Sequence, residues 1–590
     1  MNIPLSSYFA LLKRYLQPQR GRVIALALAI LIGIGLEVAA PQVVRAFIDH
    51  TLAGAPVASL VGLALGFIAL MLSRQAATLL STWLGESVGW TATNALRADL
   101  ALHCLTADMS FHNARTPGEL VERIDGDVTA LASFFSQLAI KVIGNLLLLL
   151  AVVLALFRED WRVGIALTLF AAAALWGLIR LRALAVPYWL RVRARAAQFA
   201  GFVSERLGGI EDIRGLGALP YTMRQFHALL REWMPHQIKA GMMSMLTWSI
   251  TVLVFAIGSA VSLLLGSALW REGVLTLGTV YLIYTYIETI RAPIEQIRFQ
   301  IDELQRASAS IIRIEKLFAI QSALAPAATA ASPASAAGPL AVVFDRVSFH
   351  YDPDEPVLRE VSFRLPAGKV LGVLGRTGAG KSTLAKLLLR MYDPQQGAIS
   401  LSPDGLAAAQ DLRALDLTRV RQRVGLVTQE VQIFHASVRD NLTFFDPGLP
   451  DARVRAEIDA LGLGPWLEGL ERGLDTPLKT AAAGLSAGES QLLAFGRIFL
   501  RDPSVVVLDE ASSRLDPATE AHIEHAVDRL LAGRTGIVIA HRLATVERAD
   551  YILILDEGRV VEFGPRDALA GDASSRFAEL LRTGLEEVLA

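Results

Sequence analysis

Six mostly apolar stretches, each about 20 residues or longer, occupy the first half of this chain and leave it few ways to fold. They run over 22–43, 57–84, 134–157, 161–184, 245–269 and 274–293. Each is long enough to cross a bilayer as a helix, and a backbone in lipid must satisfy its polar groups internally. The pattern predicts a bundle of six membrane-spanning helices. Spans three and four are joined only by Phe157-Arg158-Glu159-Asp160-Trp161, and five and six only by Trp270-Arg271-Glu272-Gly273, so both pairs read as helical hairpins. The gaps 85–133 and 185–244 are polar and helix-compatible. They read as helices that run past the bilayer and turn back at an elbow. Thr116-Pro117-Gly118-Glu119 has the residues of a turn followed by a helix start, and Arg214-Gly215-Leu216-Gly217 those of a break. Leu5, Phe9, Leu12 and Leu16 share one helical face beside Lys13 and Arg14, as in a helix lying on a membrane surface.

Charge divides the 590 residues into two proteins. Residues 1–340 carry 28 Lys+Arg and 21 Asp+Glu, whereas 341–590 carry 28 and 36, the density of an ordinary soluble domain. Four basic residues precede the first span (Lys13, Arg14, Arg20 and Arg22), and the turn after it, 49–56, has neither Lys nor Arg. By the positive-inside rule the N-terminus is cytoplasmic, and six spans return the soluble half to the same side. The first apolar run is too long for a secretory signal core, so it reads as a helix that stays. Residues 321–339, rich in Ala, Pro and Ser, form a linker between a six-span domain over 1–320 and a soluble domain over 340–590. The single cysteine, Cys104, excludes an intrachain disulfide and a cysteine-based metal site.

The soluble half carries phosphate chemistry. Val370-Leu371-Gly372-Val373-Leu374 reads as a buried strand, and a helix follows over 383–390. Between them stand Gly375, Arg376, Thr377, Gly378, Ala379, Gly380, Lys381 and Ser382, the G-x-x-x-x-G-K-[ST] pattern in its required strand–helix setting. Glycines let backbone N–H groups wrap phosphates, and the helix N-terminus before Thr383 adds its positive end. Lys381 supplies a point charge and Ser382 a hydroxyl for Mg²⁺. A second buried strand, Val505-Val506-Val507-Leu508, ends in Asp509-Glu510. Asp509 suits the Mg²⁺ shell, and Glu510 suits a general base acting on water. A third strand, Gly536-Ile537-Val538-Ile539-Ala540, ends in His541, within reach of the γ-phosphate or that water.

These motifs together resemble an ATP-binding cassette exporter half-transporter, a six-span domain fused ahead of a nucleotide-binding domain. The implied fold is a membrane α-helical bundle with long cytoplasmic extensions plus an α/β P-loop NTPase domain. The resemblance assigns Tyr351 to adenine stacking, and Gln429 to Mg²⁺, water and communication with the membrane domain. It makes Leu485-Ser486-Ala487-Gly488-Glu489 the signature that faces ATP on the opposite subunit. It makes Ser513-Arg514-Leu515-Asp516 a loop at the dimer interface, and Thr116–Leu120 with Arg123 the first coupling segment. Two departures stand out. The common signature is Leu-Ser-Gly-Gly-Gln, so Ala487 adds a methyl group, and Glu489 adds a negative charge near the γ-phosphate if it points inward. Lys479-Thr480 stand where many exporters have Gly-Glu.

The resemblance implies ATP-driven export, with ATP and Mg²⁺, by one half of a dimer. The altered signature beside an intact Glu510 and His541 favours a heterodimer over a homodimer. The expected cargo is an amphipathic drug, lipid or peptide, and the expected location is a bacterial cytoplasmic membrane, in contact with its lipid. Intramembrane charges often mark function, which singles out Glu37, Arg74, Lys141 and Glu288. An importer on an exporter scaffold, of the siderophore type, and an ATP-gated channel are the other readings. The six spans argue against a soluble cassette protein working on nucleic acid.

Overall fold

The computed structural model describes residues 13–324, 338–403, 409–428, 431–478, 485–509, 517–540 and 546–583. They build a helical membrane bundle and an α/β nucleotide-binding domain.

The bundle comprises α1 (Arg20–Leu52), α2 (Val57–Thr106), α3 (Gly144–Glu159), α4 (Trp161–Gly208), α5 (Leu219–Arg271) and α6 (Leu277–Phe318). At 1.5 Å per residue, helices of about 50 residues far exceed the roughly 30 Å hydrocarbon core, so α2, α4 and α5 have the long extensions expected. Among the described residues five helices are long and apolar enough to span a membrane. The sixth, α6, is long enough, but Tyr281, Tyr284, Tyr286, Glu288 and Arg291 dilute its apolar character.

Local chemistry sets the hairpins. Asp160 is extended, which breaks the chain between α3 and α4, and its carboxylate accepts from Arg162 N at 2.7 Å to cap α4. Thr276 caps α6 by accepting from Thr279 N at 3.1 Å. Asp49 of α1 accepts from Gly278 N at 3.0 Å and Thr276 Oγ1 at 2.8 Å, tying the C-terminal end of α1 to the start of α6. Beside it, Arg45 pairs with Glu159, and Gln42 donates to both Glu159 and the Tyr286 hydroxyl. The buried core includes Leu148, Val152, Leu156, Leu167, Phe255, Ile283 and Ile287. Leu28, Leu65, Leu72, Leu79, Trp176 and Leu264 stay exposed, as suits lipid-facing side chains.

The third span does not begin as a plain helix. Wide π-turns occupy Glu122–Asp127 and Leu138–Ile143, on either side of the helix Val128–Gln137. The first presents the buried Asp127, which accepts from Arg313 Nε at 2.9 Å, Ser310 Oγ at 3.0 Å and Arg123 at 3.2 Å. Burial pushes this carboxyl up, but the hydrogen bonds from Arg313 and Ser310 outweigh it and hold it below the usual carboxylate range. A lowered folded-state pKa adds stability above the unfolded pKa, lost as pH falls through the folded value. Asp127→Asn should therefore cost about 2 kcal/mol at neutral pH. The melting temperatures of mutant and wild type should converge on acidification; a gap that stays constant with pH would exclude this ionic contribution.

The chain divides into two compact units, Met1–Thr106 with Pro117–Ile320, and Ala107–Thr116 with Gln321–Ala590. Ten residues from the first long gap therefore pack with the nucleotide-binding domain. Their helix, Met109–Asn113, precedes the predicted coupling segment: Pro117–Val121 is a new helix, as the Thr-Pro-Gly-Glu turn predicted, but it belongs to the membrane unit. At the other elbow a short helix, Ile210–Gly215, ends at the predicted break.

The nucleotide-binding domain holds two sheets. Strands β1 (Ala341–Asp352), β2 (Glu355–Leu365), β3 (Val370–Leu374), β4 (Gln396–Ser402) and β5 (Gln410–Asp411) come first. Strands β6 (Val424–Val427), β7 (Val505–Asp509), β8 (Thr535–Ile539), β9 (Tyr551–Asp556) and β10 (Arg559–Pro565) follow. The smaller sheet is antiparallel, in the order β2-β1-β4-β5, and the larger runs β10-β9-β3-β8-β7-β6. All its pairings are parallel except the β9–β10 hairpin. Every residue of β3 and β8 is buried, which explains their unbroken apolar runs. Three helices bear on function: α7 (Lys381–Leu388), α8 (Ala487–Arg501) and α9 (Pro517–Leu531).

Candidate nucleotide site

The predicted P-loop leaves the carboxyl end of β3 and enters α7. Two of its glycines are obligatory. Gly375 has φ +148°, and a Cβ there would lie 2.2 Å from the carbonyl oxygen of Leu555; Gly380 has φ +99°, and its Cβ would lie 2.6 Å from a Leu358 methyl. Gly380 caps α7 with no side-chain hydrogen bond, so among the described residues no side chain caps the helix's positive end. The Lys381 ammonium is buried and donates to the carbonyls of Gly375 and, at 3.1 Å, Arg376. It is thereby anchored inside its own loop.

Sheet register brings the second and third motifs to the same edge. Val373 of β3 pairs with Ile539 of β8, and Ile539 with Asp509 of β7. Neighbouring strands lie about 4.8 Å apart, so Asp509 stands roughly 10 Å across the sheet from the strand that feeds the P-loop. Ala540 N donates to Val373 O at 3.1 Å, pinning the chain one residue before His541. Glu510, His541, Gln429 and Asp516 lie outside the described residues, as do Ser513, Arg514, Leu515, Lys479 and Thr480. No cluster of three or more His, Cys, Asp or Glu able to hold a metal occurs among the described residues. The Ser382 hydroxyl at a helix start and the Asp509 carboxylate suit an ion bound mainly through phosphate and water, as Mg²⁺ usually is.

Tyr351 lies near the end of β1, and it is 44% exposed. Its hydroxyl is 3.1 Å from Thr383 Oγ1, one residue past Ser382, and Lys386 Nζ lies over its ring at 5.6 Å. Phe349 and Tyr392 contact the ring edge-on, with centroids 4.9 and 5.2 Å away.

The signature segment starts α8. Ser486 is its N-cap: its hydroxyl accepts from Glu489 N at 3.1 Å, and Glu489 Oε2 accepts in return from Ser486 N at 2.7 Å. The Glu489 carboxylate is thus folded back onto its own helix start as a capping box. Its charge remains at the end of the helix that the resemblance turns toward a phosphate.

Reading the sequence alone missed three side chains. The half-buried Arg497 of α8 donates to the carbonyls of Asn441 at 2.8 Å and Gln432 at 2.9 Å, with its guanidinium 5.0 Å over the Phe444 ring. Burial lowers its pKa to about 10. Asn441 in turn donates to the carbonyls of Phe434, Ala436 and Ser437, so the signature helix carries the loop that follows Gln429. Tyr392, 7% exposed, accepts at its hydroxyl from Asn113 Nδ2 at 2.6 Å; burial pushes its phenol up. An interior Arg within the apolar run of α8 was the one available clue.

Comparison with known proteins decides the family. Residues 23–294 match the model of the ABC transporter transmembrane region, and residues 358–513 match the ABC transporter model. The chain belongs to the ABC transporter family. It is 29% identical to the Bacillus subtilis ABC transporter ATP-binding protein YknV over 94% of this chain and 91% of that one. It is also 29% identical to an ATP-dependent lipid A-core flippase of Alcanivorax borkumensis, over 85% of each. A solved bacterial Atm1-family ABC exporter with ATP bound superimposes with a TM-score of 0.79 at 25% identity, covering 96% of this chain and 98% of that one. This ABC transporter is therefore a membrane-embedded half-transporter of the exporter type with an ATP-binding domain, and half-transporters of this kind work as dimers.

Proposed function

We propose that this ABC transporter couples Mg-ATP hydrolysis to export of an amphipathic substrate by alternating access, as one half of a heterodimer in a bacterial cytoplasmic membrane, with the N-terminus and ATP-binding domain in the cytoplasm. The P-loop carries this reading: a glycine cradle, a helix end with no side-chain cap and a buried lysine, all at the carboxyl edge of a parallel sheet. Backbone N–H groups of 375–383 with Lys381 hold the phosphates, and Tyr351 stacks on adenine. Ser382, Asp509 and Gln429 hold Mg²⁺, which when bound neutralises phosphate charge. Glu510 takes a proton from the attacking water, and His541 lies at the γ-phosphate side. Ser486, Ala487, Gly488 and Glu489 face the nucleotide of the second subunit, with Asp516 at the interface. ATP binding closes the dimer, and hydrolysis resets it.

Polar groups on α6 support an amphipathic cargo. Tyr281, Glu288 and Gln296 are exposed on a helix whose opposite face is core, where lipid-facing helices expose leucine and tryptophan. Glu288 accepts from Ser259 Oγ at 2.8 Å, whereas Glu37 is already paired with Arg74 at 2.7 Å. Glu288 is accordingly the better candidate for substrate contact.

Tyr351→Ala should raise the ATP requirement by about tenfold or more, since base–aromatic stacking contributes about 1–3 kcal/mol. Phe and Trp at this position should restore it; if they do as badly as Ala, stacking is the wrong account. The heterodimer rests on Glu489. Its carboxylate offsets the positive end of α8, which supports a slower site wherever this signature meets ATP. Ala487→Gly with Glu489→Gln should change hydrolysis at one of two sites, measured by nucleotide trapping in the natively purified complex. A complex of this chain alone, with two equivalent hydrolysing sites, would contradict the heterodimer.

A further inference from the structure

The ring proposed to stack on adenine is braced through Tyr392 by residues 107–116, which pack with the nucleotide-binding domain. Tyr351 is partly exposed at the end of β1, and an exposed ring can turn about its side-chain bonds unless its edges are held. Here Phe349 and Tyr392 hold it, at 4.9 Å and 90° and at 5.2 Å and 82°. Phe349 belongs to the same strand, two residues away, so it moves with Tyr351. Tyr392 does not. It follows α7 in the chain, is buried, and touches both rings, its centroid 5.5 Å from that of Phe349.

What fixes Tyr392 comes from elsewhere in the sequence. Its hydroxyl is the acceptor for Asn113 Nδ2 at 2.6 Å, across 279 positions. Asn113 ends the helix Met109–Asn113, and that helix is pinned at its other end. Asp108 accepts from Phe111 N at 3.0 Å to cap it, and also from Ser322 Oγ at 3.1 Å and the Ala323 amide. Phe111 is buried beneath it, with the Arg115 guanidinium 4.6 Å over its ring. Residues 107–116 are thus a rigid insert, flanked on both sides by chain of the membrane unit.

We infer that Tyr392 is a positioning residue for the adenine-stacking ring of Tyr351, and that Asn113 makes this positioning depend on the insert 107–116. Edge-to-face ring pairs have defined geometry, so moving Tyr392 tilts Tyr351 away from the base. A shift of the insert then changes ATP affinity, and by linkage ATP binding biases the insert by the same factor. The inference rests on Tyr351 stacking on adenine, which Tyr351→Ala tests separately.

A double-mutant cycle in the full-length complex decides it, read as ATP dissociation constant and as KM and kcat of ATP hydrolysis. Tyr392→Leu should raise Kd and KM about fivefold, most of the stacking contribution of Tyr351, with kcat at saturating ATP within twofold. Added to Tyr351→Ala it should cost nothing further, because it acts through a ring already gone. Tyr392→Phe keeps the ring but loses the hydroxyl that Asn113 holds, so it should raise Kd only about threefold, less than Tyr392→Leu. Asn113→Ala should raise Kd about threefold, as loss of one neutral hydrogen bond allows, and should have no effect in the Tyr392→Phe background. Additive losses, a fall in kcat at unchanged Kd, or an Asn113→Ala effect that persists in Tyr392→Phe would overturn the positioning role. Unchanged affinity in Tyr351→Ala would overturn the stacking reading and this inference together. A weakened Tyr351→Ala beside an unaffected Tyr392→Leu would overturn this inference alone.

Discussion

Glu510→Gln should leave ATP affinity close to wild type while hydrolysis falls by about two to four orders of magnitude, the range for losing a general base. The substitution preserves shape and removes only the charge that accepts the proton. β7 brings Asp509, the residue before Glu510 in sequence, to the edge where the P-loop begins, paired with Ile539 in register with Val373. With ATP bound and not consumed, the dimer should accumulate in its closed form, detectable as ATP-stabilised cross-linking between the two nucleotide-binding domains. Near-normal hydrolysis would move the base elsewhere, with His541 the next candidate.

Lys381→Ala should act on binding instead. The ammonium is buried and bonded to the carbonyls of Gly375 and Arg376, so alanine removes both the charge offered to phosphate and the clamp on the loop. A charge-assisted hydrogen bond contributes about 1.5–3 kcal/mol, and two such losses predict an affinity drop of at least a hundredfold. Because the two predictions separate binding from chemistry, titration of the two variants with a fluorescent ATP analogue distinguishes them. Unchanged affinity in Lys381→Ala would remove its phosphate role.

How much was legible before the structure depended on how local each feature is. The P-loop is contiguous, and its strand, glycines and helix all carry local signals; the strand falls at Val370–Leu374 as read, and the helix, Lys381–Leu388, starts two residues before the 383–390 expected. The hairpins were legible because Asp160 and Gly273 sit in joints too short for any other connection. The π-turns at Glu122–Asp127 and Leu138–Ile143 were not, since one extra residue per turn leaves no mark on apolar periodicity. The pairing of Asn113 with Tyr392 spans 279 positions, nearly half of the chain, and has no sequence signature at either end. For the same reason the coupling segment was placed at 116–120, by resemblance, while the chain enters the nucleotide-binding domain at 107–116. Glu489 is a different case. Ser-Ala-Gly-Glu before an amphipathic helix has the spacing of a capping box, a local signal legible in the sequence.

Directional transport is the most direct test of the central claim. Inside-out vesicles carrying the natively purified complex would be given Mg-ATP and the host's own cytosolic and lipid extract, and their lumen analysed by mass spectrometry. The account predicts one or more amphipathic compounds that accumulate inside with ATP for wild type, and not for Glu510→Gln. Depletion of the same compounds from preloaded vesicles would make the protein an importer. ATP hydrolysis at full rate with no ATP-dependent difference in any compound would contradict coupled export.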